Sequence, residues 1–289
     1  MPSLNYVAPT TVSDAVKILA AASGPTRVMS GGTDLLVQLR SGRLKPELIV
    51  DTKKIPGIIG ISGSAAEGFT IGAATSGALL SEHAALVAAY PGVVEATNLI
   101  GSTQIQGRAS LAGNLCNASP AADSVPAVIV VGGTVTIAGP AGPRTAPVES
   151  IVTGPGRTSL AKGEFIVSFH LPALKAKTAD AYLRFIPRTE MDIAVVGCGV
   201  SVTLDDSGVI TAAKISLGAV APTQVMVDAS CIIGTKLDDA ALAKLDAAAR
   251  AVCNPIDDKR GTIEFRTKVA GVLARRTAAI AVARAQARA

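Results

Sequence analysis

The chain has 289 residues, 49% of them hydrophobic and 17% charged, enough apolar material for one large core or two smaller ones without disulfide or metal staples. Aromatic residues make up only 3% and tryptophan is absent, which argues against a stacking platform for single-stranded nucleic acid. No apolar run approaches the roughly 20 residues of a membrane span, and the opening MPSLNYVAPT lacks a charged segment followed by an apolar one, so a cytoplasmic protein is expected.

The net charge of +5 is unevenly spread: residues 1–247 carry 18 Lys+Arg against 19 Asp+Glu, and residues 248–289 carry 9 against 3. The basicity therefore belongs to the tail. Four cysteines at 116, 198, 231 and 253 stand 82, 33 and 22 positions apart, too far for any close-spaced pair to begin a zinc or iron-sulphur site. Metal chemistry is assigned to other chains.

Along the chain, Val12 to Ala22 reads as a helix capped by Thr11 or Ser13, and Glu47 to Asp51, Phe69 to Ala73, Thr134 to Ala138 and Glu164 to Leu171 read as strands. Leu79 to Ile100 reads as mostly helical with a break at Pro91 and Gly92. This is a mixed α+β pattern. The polar, basic stretch Pro172 to Thr178 marks a boundary, dividing the chain at 176/177. Beyond it, Ala181 to Ile186, Ala194 to Leu204 and Val209 to Leu217 predict a three-stranded antiparallel meander, its last two strands joined across Asp205 to Gly208. Helices expected at Val225 to Ile233, Asp238 to Val252 and Thr262 to Ala287 would pack on one side of it. The last is amphipathic; its cations Arg266, Lys268, Arg275, Arg276, Arg284 and Arg288 read first as a solvated face, second as a dock for an acidic partner, and only distantly as a nucleic-acid contact.

Common catalytic signatures are missing: no G-x-G-x-x-G, no phosphate loop, no G-x-S-x-G elbow and no H-E-x-x-H. His83 and His170 read as cap or surface residues rather than a pair, so no catalytic residue is assigned. Two glycine-rich turns remain. In Val28-Met29-Ser30-Gly31-Gly32-Thr33-Asp34-Leu35, glycines allow backbone N–H groups to turn inward ahead of a helix N-terminus, a build that holds an anion, although such a turn can also be a plain connection. The second, from Ile100 to Ser124, is too long and polar for an idle loop and is anchored by Ile100, Ile105, Leu111 and Leu115. Backbone donors from Ser110 to Asn114 and the acid Asp123 suit a ligand carrying phosphates and a polyol.

Here the residues point to a family. "SGGTDLL" and "IGSTQIQGRASLAGNLCNASPAADSVPA", followed by "EFIVSFHLP" and "RFIPRTEMDIAVV", resemble the FAD-binding medium subunit of the molybdenum hydroxylases, the group of xanthine dehydrogenase, carbon monoxide dehydrogenase and bacterial N-heteroaromatic dehydrogenases. The resemblance implies a vanillyl-alcohol-oxidase-type (PCMH-type) FAD-binding domain over residues 1–176, with subdomains of about 1–55 and 56–176, and a C-terminal domain over 177–289. It further implies that Val28 to Leu35 wrap the FAD pyrophosphate and that Ser110, Leu111, Ala112, Gly113 and Asn114 approach it from the other subdomain. Asp123 would accept hydrogen bonds from ribityl or ribose hydroxyls. Ile100, an aromatic in animal xanthine dehydrogenase, would lie against the isoalloxazine. Ile166 and Arg184 match further positions near the cofactor, Arg184 where the animal enzymes have lysine; Ile193 would line the ring pocket, and Gly101 and Thr75 lie nearby.

In the family, a large subunit with a molybdenum-pterin cofactor hydroxylates the substrate and a small subunit with two [2Fe-2S] clusters relays electrons to FAD, which reduces NAD+, oxygen or another acceptor. The resemblance therefore implies a dimer of heterotrimers. A self-sufficient flavin oxidase of the same superfamily is the alternative, disfavoured by the lack of a candidate base or of a histidine for covalent flavin attachment. A binding or assembly module that has lost flavin is the third reading. Cys116, inside the second turn, reads as a small packed side chain.

Overall fold

The computed structural model describes residues 4–288, so Met1 to Ser3 of the opening decapeptide lie outside the described residues. Its first sheet is parallel. β1 (Asn5–Val7), α1 (Val12–Ala21), β2 (Thr26–Met29), α2 (Leu35–Arg40) and β3 (Leu48–Asp51) assemble in the order β1-β3-β2. Thr11 begins α1, its side chain accepting the Asp14 N–H at 3.0 Å, and Ala15 and Leu19, one turn apart, supply the buried face. Because α2 returns the chain from β2 to a parallel strand, the carboxyl ends of β2 and β3 share one edge, with Met29 beside Asp51. The Ser30–Asp34 turn leaves from that edge, the usual ligand position in open parallel sheets.

The second sheet is antiparallel. It comprises β4 (Ile61–Ser64), β5 (Gly68–Gly72), three short helices α3 (Gly77–Glu82), α4 (Ala84–Ala89) and α5 (Pro91–Asn98), then α6 (Thr103–Gln106), α7 (Leu111–Cys116), α8 (Ser124–Val130), β6 (Thr134–Ala138), β7 (Arg144–Pro147), β8 (Val152–Gly154), β9 (Arg157–Thr158) and β10 (Phe165–Leu171). The strand order is β4-β5-β10-β6-β7, with β8 and β9 a separate hairpin. The helical stretch breaks at Pro91 as expected, and once more at His83. His83 ends α3 and caps α4, its Nδ1 accepting the Leu86 N–H at 3.2 Å, and Pro91 opens α5 because a first-turn residue needs no N–H partner. The segment from Ile100 to Ser124 is not an aperiodic loop: α6 and α7 lie within it and α8 starts at its end. Leu111 and Leu115, read as loop anchors, are the buried i,i+4 pair of α7. Phe69, Phe165 and Phe169 sit at the centre of the core that these elements enclose.

A second core lies under the third sheet, β11 (Thr178–Phe185), β12 (Val196–Leu204), β13 (Ile210–Gly218) and β14 (Val225–Val227), followed by α9 (Asp239–Ala251) and α10 (Ile263–Gln286). The sheet has four antiparallel strands rather than the expected three. The helix expected at Val225–Ile233 is instead β14 and a 3₁₀ turn at Ser230–Ile232, since Val225 and Val227 alternate inward and the edge of β13 offers backbone partners at Ile215–Leu217. α10 rests on the sheet through alanines (Ala270, Ala274, Ala278, Ala281, Ala285), which allow close approach.

The basic tail is mostly not a solvated face. Arg266 is buried, donating to the Val195 carbonyl at 2.8 Å and pairing with Asp258 at 2.7 Å, while Arg275 pairs with Asp246 at 3.2 Å. Arg284 pairs with Glu95 of α5, and Arg288 donates to the carbonyls of Ala88, Ala89 and Thr178. Lys268 and Arg276 stay exposed. The Arg284 and Arg288 contacts bind the end of the chain to α4 and α5, where Asp180 of β11 accepts the Val93 N–H at 3.0 Å and so caps α5, whose own cap residue Tyr90 makes no side-chain bond.

Candidate flavin site

A cavity of about 780 Å³, within the roughly 300–1,000 Å³ span of small-molecule and cofactor sites, opens between the first sheet and α7. One wall is the β2–α2 turn: Val28, Met29, Ser30, Gly31, Gly32, Thr33, Asp34 and Leu35 all border it. The facing wall is the start of α7, with Ser110, Ala112, Gly113 and Asn114, and Ile100, Ile166 and Ile193 complete the enclosure. Four residues named from the sequence lie off the wall: Gly101, Leu111, Asp123 and Arg184. Leu111 faces the core, and Gly101, at φ +66, turns the chain after α5 while its carbonyl accepts the Met191 N–H at 3.3 Å. Thr75 is also elsewhere, buried and exchanging hydrogen bonds with both backbone groups of Gly60.

The two turns meet at closest range through Gly31. A Cβ there would sit 1.9 Å from the Arg108 carbonyl oxygen, so only glycine allows the approach. Gly32 is required for a different reason, its φ of +81. A hydroxyl chain fastens the turns: Ser30 Oγ donates to the Ala73 carbonyl at 3.1 Å, so Ser110 Oγ donates to Ser30 Oγ at 2.7 Å while accepting the Gly113 N–H at 3.2 Å. Those two hydroxyls are thereby engaged with protein. Donors remain. Among the described residues, no protein acceptor takes the N–H groups of Gly31, Gly32, Thr33 and Asp34, or of Ala112 at the start of α7. Asn114 Oδ1 accepts from both Ser124 N at 3.2 Å and Ser124 Oγ at 2.7 Å, which leaves its Nδ2 amide free on the wall. Backbone amides and helix starts facing a cavity suit a diphosphate.

Titratable groups frame this cradle. Burial raises the Asp34 carboxyl above its ordinary range. Behind the first turn, burial would raise Asp51 too, but hydrogen bonds from Lys53 and Tyr6 outweigh it and hold the carboxyl low. Asp123 is nearly inaccessible, gripped by Tyr182 OH at 2.9 Å and Arg184 at 2.8 Å; burial lifts its carboxyl to about 6 against the lowering by Arg184 and Tyr182. Asp123, expected at the ligand, instead has both its oxygens engaged by β11.

Other parts of the wall come from residues outside the two turns. Gln38 lies one turn beyond Asp34, a helical spacing that pointed to it, and its Nε2 donates to Asn117 at 3.2 Å. Gly156, Thr158 and Leu160 come from around the β8–β9 hairpin, and no local signal ties them to either turn. Cys116 is accessible along the cavity wall rather than packed away, and enclosure there pushes its thiol up to about 12, leaving it protonated at neutral pH.

Comparison with known proteins identifies the family. Residues 2–174 match the family of the FAD binding domain in molybdopterin dehydrogenase, and residues 181–281 match the CO dehydrogenase flavoprotein C-terminal domain. The chain is 31% identical to the carbon monoxide dehydrogenase medium chain of Afipia carboxidovorans, over 99% of this chain and 98% of that one. It is also 31% identical to the xanthine dehydrogenase FAD-binding subunit of Escherichia coli O157:H7, over 76% and 75%. Reconstituted CO dehydrogenase from Oligotropha carboxidovorans superposes with a TM-score of 0.91 at 31% identity, covering 100% of both chains. Its α+β fold, its turns and its relatives agree, and the chain belongs to the family of FAD-binding medium subunits of the molybdenum hydroxylases.

Proposed function

We propose that this chain holds one FAD in the cavity between the β2–α2 turn and α7, and carries electrons from [2Fe-2S] clusters on a small partner subunit to NAD+, oxygen or another acceptor. The observation that carries the reading is the set of unpartnered amides on two facing turns, Gly31 to Asp34 and Ala112, joined by the Asn114 amide. Val28 to Leu35 would hold the diphosphate together with Ser110, Ala112, Gly113 and Asn114. The ring would lie toward Ile100, Ile166 and Ile193, whose aliphatic side chains enclose it and exclude water without stacking an aromatic on it. Leu111 anchors the start of α7 from the core, and Gly101 acts through the turn it makes. Asp123 and Arg184 support the site from behind as a buried ion pair.

FAD supplies the redox chemistry, accepting an electron pair and passing it on, so the chain's task is to bind, orient and shield the cofactor. The absence of an acid–base pair in the sequence motifs favours this division of labour over a self-sufficient oxidase. The molybdenum-pterin cofactor belongs to a large partner subunit in this reading, and the assembly is a dimer of heterotrimers in the cytoplasm. No helix among the described residues is long and apolar enough to cross a membrane. The domain division at 176/177 is part of the same proposal; it is supported by the gap between the two family matches, 174 to 181.

The test is co-purification. Expressed with the genes beside its own, the chain should bring down an iron-sulphur subunit and a molybdenum subunit with one FAD per chain, and an acceptor screen then identifies the oxidant. A yellow chain that oxidises a substrate unaided supports the oxidase reading instead.

A further inference from the structure

The amides of the first turn point the way they do because something holds the opposite end of each peptide. Lys53 Nζ donates to the Ser30 carbonyl at 2.9 Å, Arg108 Nε donates to the Gly31 carbonyl at 3.1 Å, and the Leu36 N–H donates to the Gly32 carbonyl at 2.9 Å. Ser30, Gly31 and Gly32 border the cavity, whereas Lys53, Arg108 and Leu36 do not. The three carbonyls are therefore drawn away from it. In a planar trans peptide the N–H is antiparallel to the C=O, so holding those oxygens outside aims the N–H groups of Gly31, Gly32 and Thr33 inward. These are the donors without a protein acceptor among the described residues.

The hold matters because the turn is glycine-rich. A peptide plane next to glycine rotates by about half a turn at little cost, the difference between type I and type II turns. A rotated Ser30–Gly31 or Gly31–Gly32 peptide would present a carbonyl oxygen to the ligand and repel an anion. The Leu36 bond is the ordinary opening of α2, but the other two locks are side chains from distant parts of the chain. Lys53 is itself held: Asp51 Oδ1 accepts from its Nζ at 2.7 Å, and Tyr6 OH donates to Asp51 Oδ2 at 2.7 Å. Arg108 embraces Gly31 twice, through its guanidinium and through the backbone carbonyl that leaves no room for a Cβ.

We propose that Lys53 and Arg108 are positioning residues for the flavin diphosphate, which without touching it lock the Ser30 and Gly31 peptides with their amides facing the site. The assignment rests on the flavin reading above and sharpens it, since it predicts which part of the ligand feels each side chain.

The experiment strips FAD from the full chain and titrates FAD, ADP and riboflavin into wild type, Lys53→Met, Lys53→Arg and Arg108→Met. ADP carries the diphosphate without the flavin, and riboflavin the ring without phosphates. Lys53→Met and Arg108→Met should each weaken FAD and ADP by about tenfold or more, the size of one lost charge-assisted contact, and leave riboflavin unchanged. Lys53→Arg, still a cation that can reach the carbonyl, should bind ADP within about threefold of wild type, a difference under 1 kcal/mol. Equal losses for riboflavin and ADP would mark a general structural defect and overturn the assignment, as would unchanged ADP affinity in both methionine variants. A wild-type chain that binds neither FAD nor ADP would remove the site itself, and the assignment with it. Should Lys53→Met fail to fold, Arg108→Met gives the same ligand comparison while keeping the Arg108 backbone against Gly31.

Discussion

Replacing Gly31 with alanine should separate the two turns and release the flavin, and it should do so more severely than the same change at Gly32. The added Cβ would stand 1.9 Å from the Arg108 carbonyl oxygen and 2.7 Å from its carbon, both backbone atoms. An ordinary carbon–oxygen contact is about 3.3 Å or more, so the turns must part by roughly 1.4 Å. That movement carries the Ser30–Ser110 hydroxyl contact from 2.7 Å out of hydrogen-bond range and strains the Arg108–Gly31 bond, now 3.1 Å. One neutral and one charge-assisted hydrogen bond are together worth about 3 kcal/mol, a fall of roughly 5 °C in Tm for a chain of this size. Misaligned amides would cost one or two contacts to a charged group, about 3 kcal/mol or a hundredfold in Kd. At Gly32 the obstacle is the left-handed backbone, φ +81, worth about 1–2 kcal/mol, while the nearest atom is the flexible Met29 sulphur at 3.2 Å. Flavin fluorescence is the suitable reporter, since the chain has no tryptophan and only three tyrosines. Wild-type FAD stoichiometry and Tm in Gly31→Ala, or a larger loss in Gly32→Ala, would refute the reasoning.

Further outcomes follow from the same geometry. Asn114→Asp keeps the acceptor that Ser124 uses but turns the wall-facing amide into a carboxylate, so Tm should hold while FAD affinity falls by about 1.5–3 kcal/mol; equal affinity by titration would show that the amide does not reach the phosphates. Asp123→Asn leaves Arg184, only 4% exposed, without its counter-charge, and urea unfolding should register a loss of about 3–5 kcal/mol whether or not flavin is bound; an unchanged midpoint would contradict the buried pair. Burial lifts the Asp180 carboxyl to about 7, against the lowering by the Gly92 and Val93 amides and by Arg288 and Arg284. The native state thus holds that proton more tightly than the unfolded chain, and the stability it contributes falls as pH rises from about 4 to 7. Wild type should therefore lose a few degrees of Tm relative to Asp180→Asn across that range, and parallel melting profiles would refute the assignment.

Although α7 reads from the sequence as part of a polar loop, the first turn was legible because its chemistry is local: glycines that allow an unusual backbone, followed by residues that open a helix, are a property of a few consecutive positions. The same holds for the strands Phe165–Leu171 and Thr134–Ala138 and for the capped helix after Thr11, where period and cap lie within ten residues. The fourth strand Val225–Val227 was not legible, since three residues take their conformation from the edge of β13 they happen to reach. Asp123 shows the limit most clearly. Its type and place in the motif suit a polyol, yet its partners are Tyr182 and Arg184, 59 and 61 positions away, and burial decides which partner it meets. The basic tail behaves alike: composition recorded an excess of positive charge, and only packing showed that Arg266, Arg284 and Arg288 spend it on carbonyls and acids of other elements. The sequence by itself determined the family, the two turns and the kind of ligand they suit, because backbone conformation and donor chemistry are written at short range. Tertiary structure alone decided how closely the turns meet, which side chains hold their carbonyls outward, and which charges are spent inside the protein, because those depend on residues far apart in the chain that only folding brings within a few ångströms.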